Sequence, residues 1–549
     1  MWHQPKNLTR RKKVFFLFFV IGIVTQVHSQ VNESTSSSVY DYLYRMSQKG
    51  LIKWNDYQLP LDRKTISLAI DSLSSNQNRL TKIETKELEF SKQEYAFDRF
   101  SPASEEKVFF KKDAFNRFRV GKYEKEEAKI FVDPLIGLQA LKSGNKNTYQ
   151  YFSGVRLAGY FGKRWGFNFA FRDNTEKGDT LTHLSSFAPV EGIVPTIQTQ
   201  RSINYSSFNY NVGYRWSNGA LSAGQEHLSW GYGIGGNTAL SGRAPSFPFI
   251  KFDFDPWSWL HFSYFHGWLQ SNIIDSARSY NTSSGIYGSR REIYFPKFIA
   301  HHSLTITPLK GLDIALGESI IYSDKLNFAY LIPINFFKAY DQHNSRYNIN
   351  AGDNSQFFGL ISSRNHIRNT HIYSQVFIDE IRASKIFDKK ERRNQLGYTF
   401  GINRTDLFLN YLTAGIEYSR INPFVYNNLI PTQTYESNSY SLGDWMGNNA
   451  DRLYLFVQYL PLPKLRIKLS HQKIRKGESG TLDQQYYQAP QPEFLFKQLF
   501  DYKETVFTAR YEFINRLIAS MEINSNTIKF VNTSSAKNKS VRFGISYGL

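Results

Sequence analysis

The stretch WGFNFAFR at residues 165–172 decides the fold, because an aromatic side chain stands at every odd position and a small or polar one at every even position. Successive side chains of a β-strand point to opposite faces, so this alternation predicts a strand with one apolar and one polar face. The same period of two recurs in residues 208–216, 412–419, 465–470, 517–524 and 541–549. From about residue 130 onward the chain is therefore predicted to form an antiparallel sheet that is apolar on one side only.

A soluble β-sandwich would show the same local alternation, but the length and spacing of the segments favour a closed membrane barrel. The periodic segments run for about 9–13 residues, which fits a tilted membrane strand better than an ordinary strand of about 5–6. Tight turns such as Gly162-Lys163 alternate with long polar loops, predicted at 173–203, 270–292, 340–354 and 425–450. Short turns at one end and long loops at the other are typical of outer-membrane barrels.

The sequence also indicates the number of strands and the boundary of the membrane. We count 18 or 19 periodic segments, and because single-chain bacterial barrels have an even number we predict an all-β, antiparallel transmembrane barrel of about 18 strands. Aromatic residues near the segment ends predict an interfacial girdle. These residues are Tyr160, Trp165, Trp216, Tyr330 and Tyr459.

The N-terminus has the organisation of a cleaved signal peptide, predicted over residues 1–29. The basic run Arg10–Lys13 is followed by an apolar stretch from Val14 to Val24 and by the small residue Ser29. That stretch is too short for a comfortable transmembrane helix, so export and cleavage are expected. A Ser-rich spacer is predicted at residues 30–38.

Residues 39–128 predict a small periplasmic helical region and a linker to the barrel at 129–549. Val39, Leu43 and Met46 recur at helical spacing, and Gly50 is a suitable C-cap. Pro60 and Asp62 precede a second amphipathic stretch, and a third helix is expected within residues 80–97.

The composition narrows the function classes. The chain has no cysteine, which excludes disulfides, zinc thiolate sites, cysteine nucleophiles and a lipid-anchored N-terminal cysteine. Residues 1–29 carry five basic residues and no acidic ones, so the net charge of +20 becomes +15 after cleavage. A positive surface favours anionic partners. For an exported barrel we expect lipid headgroups or acidic polysaccharide as partners, and no nucleic acid.

Three short motifs resemble catalytic or cofactor sites, and none is predicted to act as one. Residues 231–236 match G-x-G-x-x-G, but Pro245 and Pro248 follow instead of a helix, so we predict a glycine-rich bend at the barrel rim. The neighbours His301-His302 and Ser470-His471 would point to opposite faces of a strand and could not share a metal or form a catalytic dyad. We therefore expect neither a cofactor nor an enzyme.

Two charged groups near residue 380 leave alternatives open. Asp379 and Glu380 are adjacent, so one is expected to face the lumen and the other a polar rim. The basic residues Lys385, Lys389, Lys390, Arg392 and Arg393 form a cluster in the following loop. This cluster is either a solvated or headgroup-facing loop or a contact for an anionic glycan.

Several longer motifs follow one another in an order that carries a family resemblance. They are YDYL at 40–43, GQEHLSWGYG at 224–233, SGRAP at 241–245, YSQVFIDE at 373–380, GIEYSRINP at 415–423 and LGDWMGNNAD at 442–451. Together they make residues 39–549 resemble the Wzi-like capsule assembly proteins, in the branch found in Bacteroidota.

The resemblance implies an 18-stranded, plugged outer-membrane barrel with periplasmic helices and a lectin-like, non-catalytic role in holding capsular polysaccharide. Its motif positions, which either stabilise the lumen or relate to glycan, are Glu226, Trp230, Arg243, Asp379, Glu380, Glu417 and Asp451. Glycan contacts are expected on loops rich in Tyr and Asn, at Tyr280, Asn281, Tyr287, Tyr426, Asn427, Asn428 and Tyr435. The alternatives are a gliding-motility or adhesion accessory, a diffusion channel, and an outer-membrane hydrolase or acyltransferase.

Overall fold

The computed structural model describes residues 30–99, 105–184, 187–282, 288–347, 352–381, 384, 394–531 and 534–549. The predicted signal peptide and the basic cluster at 385–393 lie outside these residues.

Within the described residues, eighteen antiparallel strands form a closed barrel in which the last strand pairs with the first. The predicted architecture and the strand number are confirmed. The strands are β1 Ala128–Ser143, β2 Lys146–Phe161, β3 Trp165–Gly178, β4 Ser202–Trp216, β5 Gly219–Glu226, β6 Phe247–Trp257, β7 Leu260–Ile274, β8 Tyr294–Leu309, β9 Leu312–Ser323, β10 Asn354–Arg364, β11 Thr370–Glu380, β12 Gln395–Arg404, β13 Leu412–Ile421, β14 Ala450–Leu462, β15 Leu465–Gly477, β16 Gln498–Ile514, β17 Leu517–Phe530 and β18 Ala536–Tyr547. A hairpin of Glu106–Lys112 and Phe118–Lys125 precedes β1 and pairs with its first residues.

The strand alternation places apolar side chains on the outside of the barrel and polar ones in its lumen. On β9, Leu316 is 67% exposed on the outer surface, whereas Ser319 faces inward and is buried. On β1, Ile136 and Leu138 lie outward and half exposed, while Asp133 is buried in the lumen. This arrangement fits a wall surrounded by lipid and filled with polar protein.

Three helices close the end of the barrel that carries the tight turns, which we call the short-turn rim. They are α1 Val39–Gln48, α2 Arg63–Ser75 and α3 Lys82–Tyr95, close to their predicted positions. Asp62 caps α2, Thr81 and Glu84 form a capping box on α3, and Gly50 takes a φ of +68° just after α1. No helix among the described residues is both long and apolar enough to span a bilayer.

Ion pairs join the helices to the last turns of the barrel. The Glu33 carboxylate accepts from Arg63 Nη1 at 2.5 Å and from Arg516 Nη2 at 2.6 Å, and Arg516 also pairs with Glu94 at 3.2 Å. Residues 30–33, predicted as part of a spacer, are in fact buried inside the barrel, where Gln30 lies against Gly166. A Cβ at Gly166 would approach the Gln30 carbonyl oxygen to 2.5 Å, so this position admits only glycine.

Residues 324–347, here called the outer-wall segment, fold back over the outside of β7, β8 and β9. The segment ends in α4, Phe337–Tyr347, whose first amides donate to the Glu318 carboxylate at 2.9 and 2.5 Å. Tyr264 on β7 donates to the Tyr330 carbonyl at 2.8 Å. Five large apolar side chains of this segment remain exposed to the surroundings: Leu326, Phe328, Ile332, Ile334 and Phe336.

The girdle prediction is right for three residues and wrong for two. Trp165, Trp216 and Tyr459 lie on the outer surface near the short-turn rim. Tyr160 instead faces the lumen, where its hydroxyl donates to Asp98 of the helical region at 2.5 Å. Tyr330 is buried in the outer-wall segment. Tyrosine alone does not reveal whether its hydroxyl meets water or a buried carboxylate.

Candidate functional site: the loop-filled lumen

The segment between β5 and β6, residues 227–246, turns into the barrel and is called the lumen segment. Ser229-Trp230 pairs with Gln58-Leu59 of the helical region on one side and with Leu240-Ser241 on the other. The glycine-rich bend at 231–236 therefore lies deep in the lumen, so its predicted place at the rim is wrong. As predicted, no helix follows it.

Glu417 on β13 holds the bend. Its buried carboxylate accepts the backbone N–H of Ile234 at 2.7 Å and of Gly235 at 2.9 Å, and the Tyr373 hydroxyl at 2.5 Å. Hydrogen bonds to an ionised acceptor are the stronger kind, each contributing about 1.5–3 kcal/mol. The interaction therefore ties the lumen segment to the barrel wall from two strands at once.

Arg452 on β14 completes this network. Its guanidinium lies 3.6 Å from Glu417 and donates to both carboxylate oxygens of Asp444, at 3.1 and 3.0 Å. A Cβ on Gly235 would meet Arg452 Nε at 2.5 Å, which explains a glycine at that position. A buried guanidinium needs such partners, because an unpaired charge in the lumen would be strongly destabilising.

Trp230 wedges the lumen segment between the helical region and the wall. It is 1% exposed and meets Phe358 of β10 and Tyr57 edge-on, at ring-centroid distances of 4.6 and 5.6 Å. His301 lies beside it, stacked between Phe265 and Phe358. The role of Trp230 in the structure is packing, because its indole is enclosed by these neighbours.

A second loop, residues 422–449, folds inward from the long-loop rim and covers the lumen segment. Tyr426 donates to the Thr238 carbonyl at 2.6 Å, Tyr435 to the Ala239 carbonyl at 2.7 Å, and Trp445 Nε1 to the Gly235 carbonyl at 2.8 Å. Tyr426 and Tyr435 are thus buried, and their expected role as glycan contacts is not supported by their positions.

The other loop residues predicted to contact glycan differ in their exposure to solvent. Tyr280 and Asn281 are exposed at the long-loop rim, and Asn427 and Asn428 are half-buried. Tyr287 lies outside the described residues.

The remaining motif positions divide between the lumen and the outer surface. Glu226 faces the lumen and accepts from Asn168 at 3.1 Å, and Arg243 Nε donates to the Ala188 carbonyl at 3.2 Å. Asp379 faces inward and accepts the Tyr426 amide at 2.7 Å, whereas Glu380 is exposed. As predicted, these neighbours face opposite ways.

Asp451 stands apart from the lumen network. It lies on the outer face of β14, where it accepts from the Tyr418 hydroxyl at 3.1 Å and pairs with Arg475. The lumen network instead uses Tyr373, Asp444 and Arg452, which sequence reasoning did not select. They lie in or beside the quoted motifs, and strand parity would place Tyr373 and Arg452 on the inner face with Glu417.

The two neighbouring pairs that contain histidine are divided between the inner and outer faces of the wall. His301 faces the lumen while His302 faces outward, with its Nδ1 3.1 Å from the Pro333 carbonyl oxygen. Ser470 faces inward, and His471 is exposed on the outer surface. In the part of the chain that is described, no three His, Asp or Glu side chains are grouped so that they could hold a metal ion.

Two cavities among the described residues of the lumen lie beside the motif positions. The larger, of about 490 Å³, lies between the helical region, the lumen segment and the wall at β13 to β15, and its lining includes Tyr44, His227, Trp445, Phe456 and Lys468. The smaller, of about 180 Å³, shares His227 with the larger and extends to Arg156 and Glu226. Aromatic faces beside cationic and carboxylate groups could hold a small polar molecule in either cavity.

Residues 153–542 match the family model for the capsule assembly protein Wzi. Among solved structures, the chain is similar to Wzi of Escherichia coli, an outer membrane protein involved in group 1 capsule assembly and a carbohydrate-binding β-barrel, with a TM-score of 0.58 and 11% identity over 95% of this chain and 100% of that one.

More distant similarity extends to other barrels. OccK8 of Pseudomonas aeruginosa has a TM-score of 0.43 and 11% identity over 77% of this chain and 98% of its own. OccAB4 of Acinetobacter baumannii has a TM-score of 0.42 and 9% identity over 77% of this chain and 97% of its own. No curated protein sequence matches the chain.

Proposed function

The chain belongs to the capsule assembly protein Wzi family, and from this premise we propose that it is an outer-membrane barrel that attaches capsular or related polysaccharide to the cell surface without chemical conversion. The short-turn rim and the helices face the periplasm, and the long loops face outward. Polysaccharide is bound at the long-loop side.

The observation that carries the proposal is the filled lumen. The helical region enters from the short-turn rim and two loops fold in from the other side, so a polymer has no path through the described barrel. A barrel that cannot pass a polymer but presents long loops is suited to hold one. The same observation disfavours a diffusion channel, for which a low conductance in planar bilayers is the direct check.

Aromatic side chains at the long-loop rim supply the chemistry that sugar binding requires. Tyr487 is 73% exposed and Tyr280 is 52% exposed on loops at this rim. An aromatic face stacks on the apolar face of a sugar ring, and polar groups around it bind the hydroxyls. The net charge of +15 after cleavage favours a glycan that carries uronic acid or phosphate groups.

A deletion strain gives the first test, by comparing polysaccharide that stays with the cells with polysaccharide shed into the medium. We expect total output to hold while the bound fraction falls, and a plasmid copy of the gene to restore it. If both fractions stay unchanged, the protein is not the anchor, and a role in motility or adhesion takes its place.

A matched pair of variants locates the contact. Complementation with Tyr487→Ala together with Tyr280→Ala is expected to leave the bound fraction low. Phe408→Ala, which removes an aromatic ring that is 94% exposed in a turn at the opposite rim, is expected to restore binding fully. Equal retention by both variants would remove these tyrosines from the binding surface.

A further inference from the structure

A group of lysines on the outside of the barrel is not explained by polysaccharide binding at the loops. Six lysines, here called the basic belt, lie on five consecutive strands from β15 through β18 to β1. They are Lys142, Lys473, Lys503, Lys529, Lys537 and Lys539, and all six are exposed. We propose that the basic belt binds the phosphate groups of a phosphorylated glycolipid in the outer leaflet of the membrane.

Strand register places these side chains on the lipid side of the wall. Lys473 has the same parity on β15 as Leu469, an outward residue that is 49% exposed. Lys537 and Lys539 share the parity of Phe543 on β18, which is 57% exposed. The cations therefore point away from the lumen and away from the polymer-binding loops.

Their height matches the headgroup level. On β16 the outward positions run from Phe513 near the short-turn rim to Lys503, and at about 3.3 Å per residue and a tilt of about 40° this path climbs about 25 Å. The apolar band of an outer-membrane barrel is also about 25 Å tall. Lys503 therefore lies where the acyl chains end and the phosphates begin, if the short-turn rim faces the periplasm as proposed above.

One belt lysine, Lys529, has an acidic cross-strand neighbour, Asp501, but two others face each other across the sheet. Lys473 and Lys503 are direct cross-strand partners, and Lys503 is opposite Thr527, whose other partner is Lys537. Like charges placed opposite one another on a sheet are destabilising without a counterion. Within the described residues the ion pairs of this wall use Arg475 with Asp451 and Arg542 with Glu522, and none uses a belt lysine.

On the opposite wall, the outward positions near the long loops are not basic, so the positive charge is confined to one side of the barrel. The outward positions of β6, β7 and β8 near the long loops carry no charge: Pro248, Ile250, Gln270, Asn272, Tyr294 and Pro296. One side of the barrel is therefore cationic at headgroup level and the other is neutral. A lipid phosphate fits the cationic side, because its acyl chains would lie on the apolar strands directly below.

The test measures glycolipid binding by the purified full chain in detergent, using native mass spectrometry. The probe is a bisphosphorylated glucosamine lipid, with its dephosphorylated form and inorganic phosphate as comparisons. The test variant is K473Q/K503Q/K537Q/K539Q. The control variant is K82Q/K86Q/K111Q/K112Q, which changes the net charge equally at exposed positions outside the barrel wall.

We expect the belt variant to bind the bisphosphorylated lipid about tenfold or more weakly, and the control variant to bind like the wild type. Dephosphorylating the lipid should weaken binding as much as the belt variant does, and excess inorganic phosphate should not displace the lipid. Equal binding by the belt variant and the wild type overturns the proposal, as does full displacement by inorganic phosphate.

An acidic polysaccharide is the rival ligand, and the same variants separate it. If the belt variant loses polysaccharide but keeps the glycolipid, the lipid assignment is wrong. The shift between the folded and heated forms on gels verifies that each variant folds. Because cell-bound polysaccharide is scored separately, failure of the belt and failure of the anchoring role give different results.

Discussion

Removal of the Glu417 carboxylate should release the lumen segment without unfolding the barrel. In Glu417→Ala, the amides of Ile234 and Gly235 and the Tyr373 hydroxyl all lose their acceptor. Only the two amides belong to the lumen segment, since Tyr373 lies on the wall, so at about 1.5 kcal/mol for each hydrogen bond to a charged group the free energy of local opening falls by about 3 kcal/mol. Arg452 keeps its Asp444 partner, so the wall itself is not left with an unpaired charge.

Hydrogen exchange of residues 231–236 measures this opening directly. A loss of about 3 kcal/mol corresponds to exchange about a hundredfold faster or more at these amides. Amides of the wall strands should exchange as in the wild type. Asp451→Ala is the matched control, since it removes a carboxylate from the outer face of the same wall and should leave the lumen segment protected.

The result that refutes this reasoning is protection that survives the substitution. If exchange at residues 231–236 in Glu417→Ala stays within about threefold of the wild type, the opening energy has changed by less than about 1 kcal/mol. The segment would then be held by packing around Trp230 and by the covering loop, and the carboxylate would add little.

Three further perturbations test other parts of the structure. Trp230→Ala should lower the free energy of unfolding by about 3–5 kcal/mol because the indole is 1% exposed. Trp165→Ala, which removes a half-exposed ring from the outer surface, should lower it by less. The temperature at which the compact form is lost on gels measures the stability of both variants. Burial raises the pKa of Asp62 to about 6, above its unfolded value of 3.8, so the stability that its protonated form contributes is present below about pH 4 and lost as pH rises through 6. The thermal midpoint of the wild type should therefore fall between pH 4 and pH 6 by the equivalent of about 3 kcal/mol, and Asp62→Asn should show a smaller fall over the same pH range. Ile334→Arg places a charge on the exposed outer-wall segment and should lower the membrane-inserted fraction, by about 2–4 kcal/mol if this position lies near the midplane, whereas Ile197→Arg in an exposed loop should insert normally.

The barrel could be predicted from sequence because its determinants are local. The period of two in residues 165–172 reports both the strand and its outward face, and the alternation of tight turns with long loops reports the closure. The helices were equally accessible, since the spacing of Val39, Leu43 and Met46 needs no knowledge of what lies around them.

The contents of the lumen could not be predicted in the same way. Residues 227–246 have no periodicity, and nothing in them states whether the segment folds outward or inward. Tyr426 and Tyr435 look like exposed loop tyrosines until their hydroxyls are placed on the Thr238 and Ala239 carbonyls. Such contacts join residues almost 200 positions apart, and only the closed barrel brings them together.

The position of the outer-wall segment could not be predicted from the sequence for a related reason. Its apolar residues, Phe328 to Phe336, have the composition of a strand or a core, yet they cover polar groups on the outside of the wall, namely His302 and Glu318. A carboxylate on a lipid-facing strand is unfavourable unless it is paired, and α4 supplies that pairing with its first amides.

The pairing of Glu33 and Glu94 with Arg516 imposes an order on biogenesis. Arg63 and Arg117 lie in the N-terminal part of the chain and already pair with these carboxylates, whereas Arg516 belongs to the turn before β17 and is delivered near the end of the chain. The contact of Arg516 with Glu33 and Glu94 therefore forms only after most strands have been delivered, and a chain that stalls earlier lacks it. We therefore expect the helices to be held at full strength only in a finished barrel.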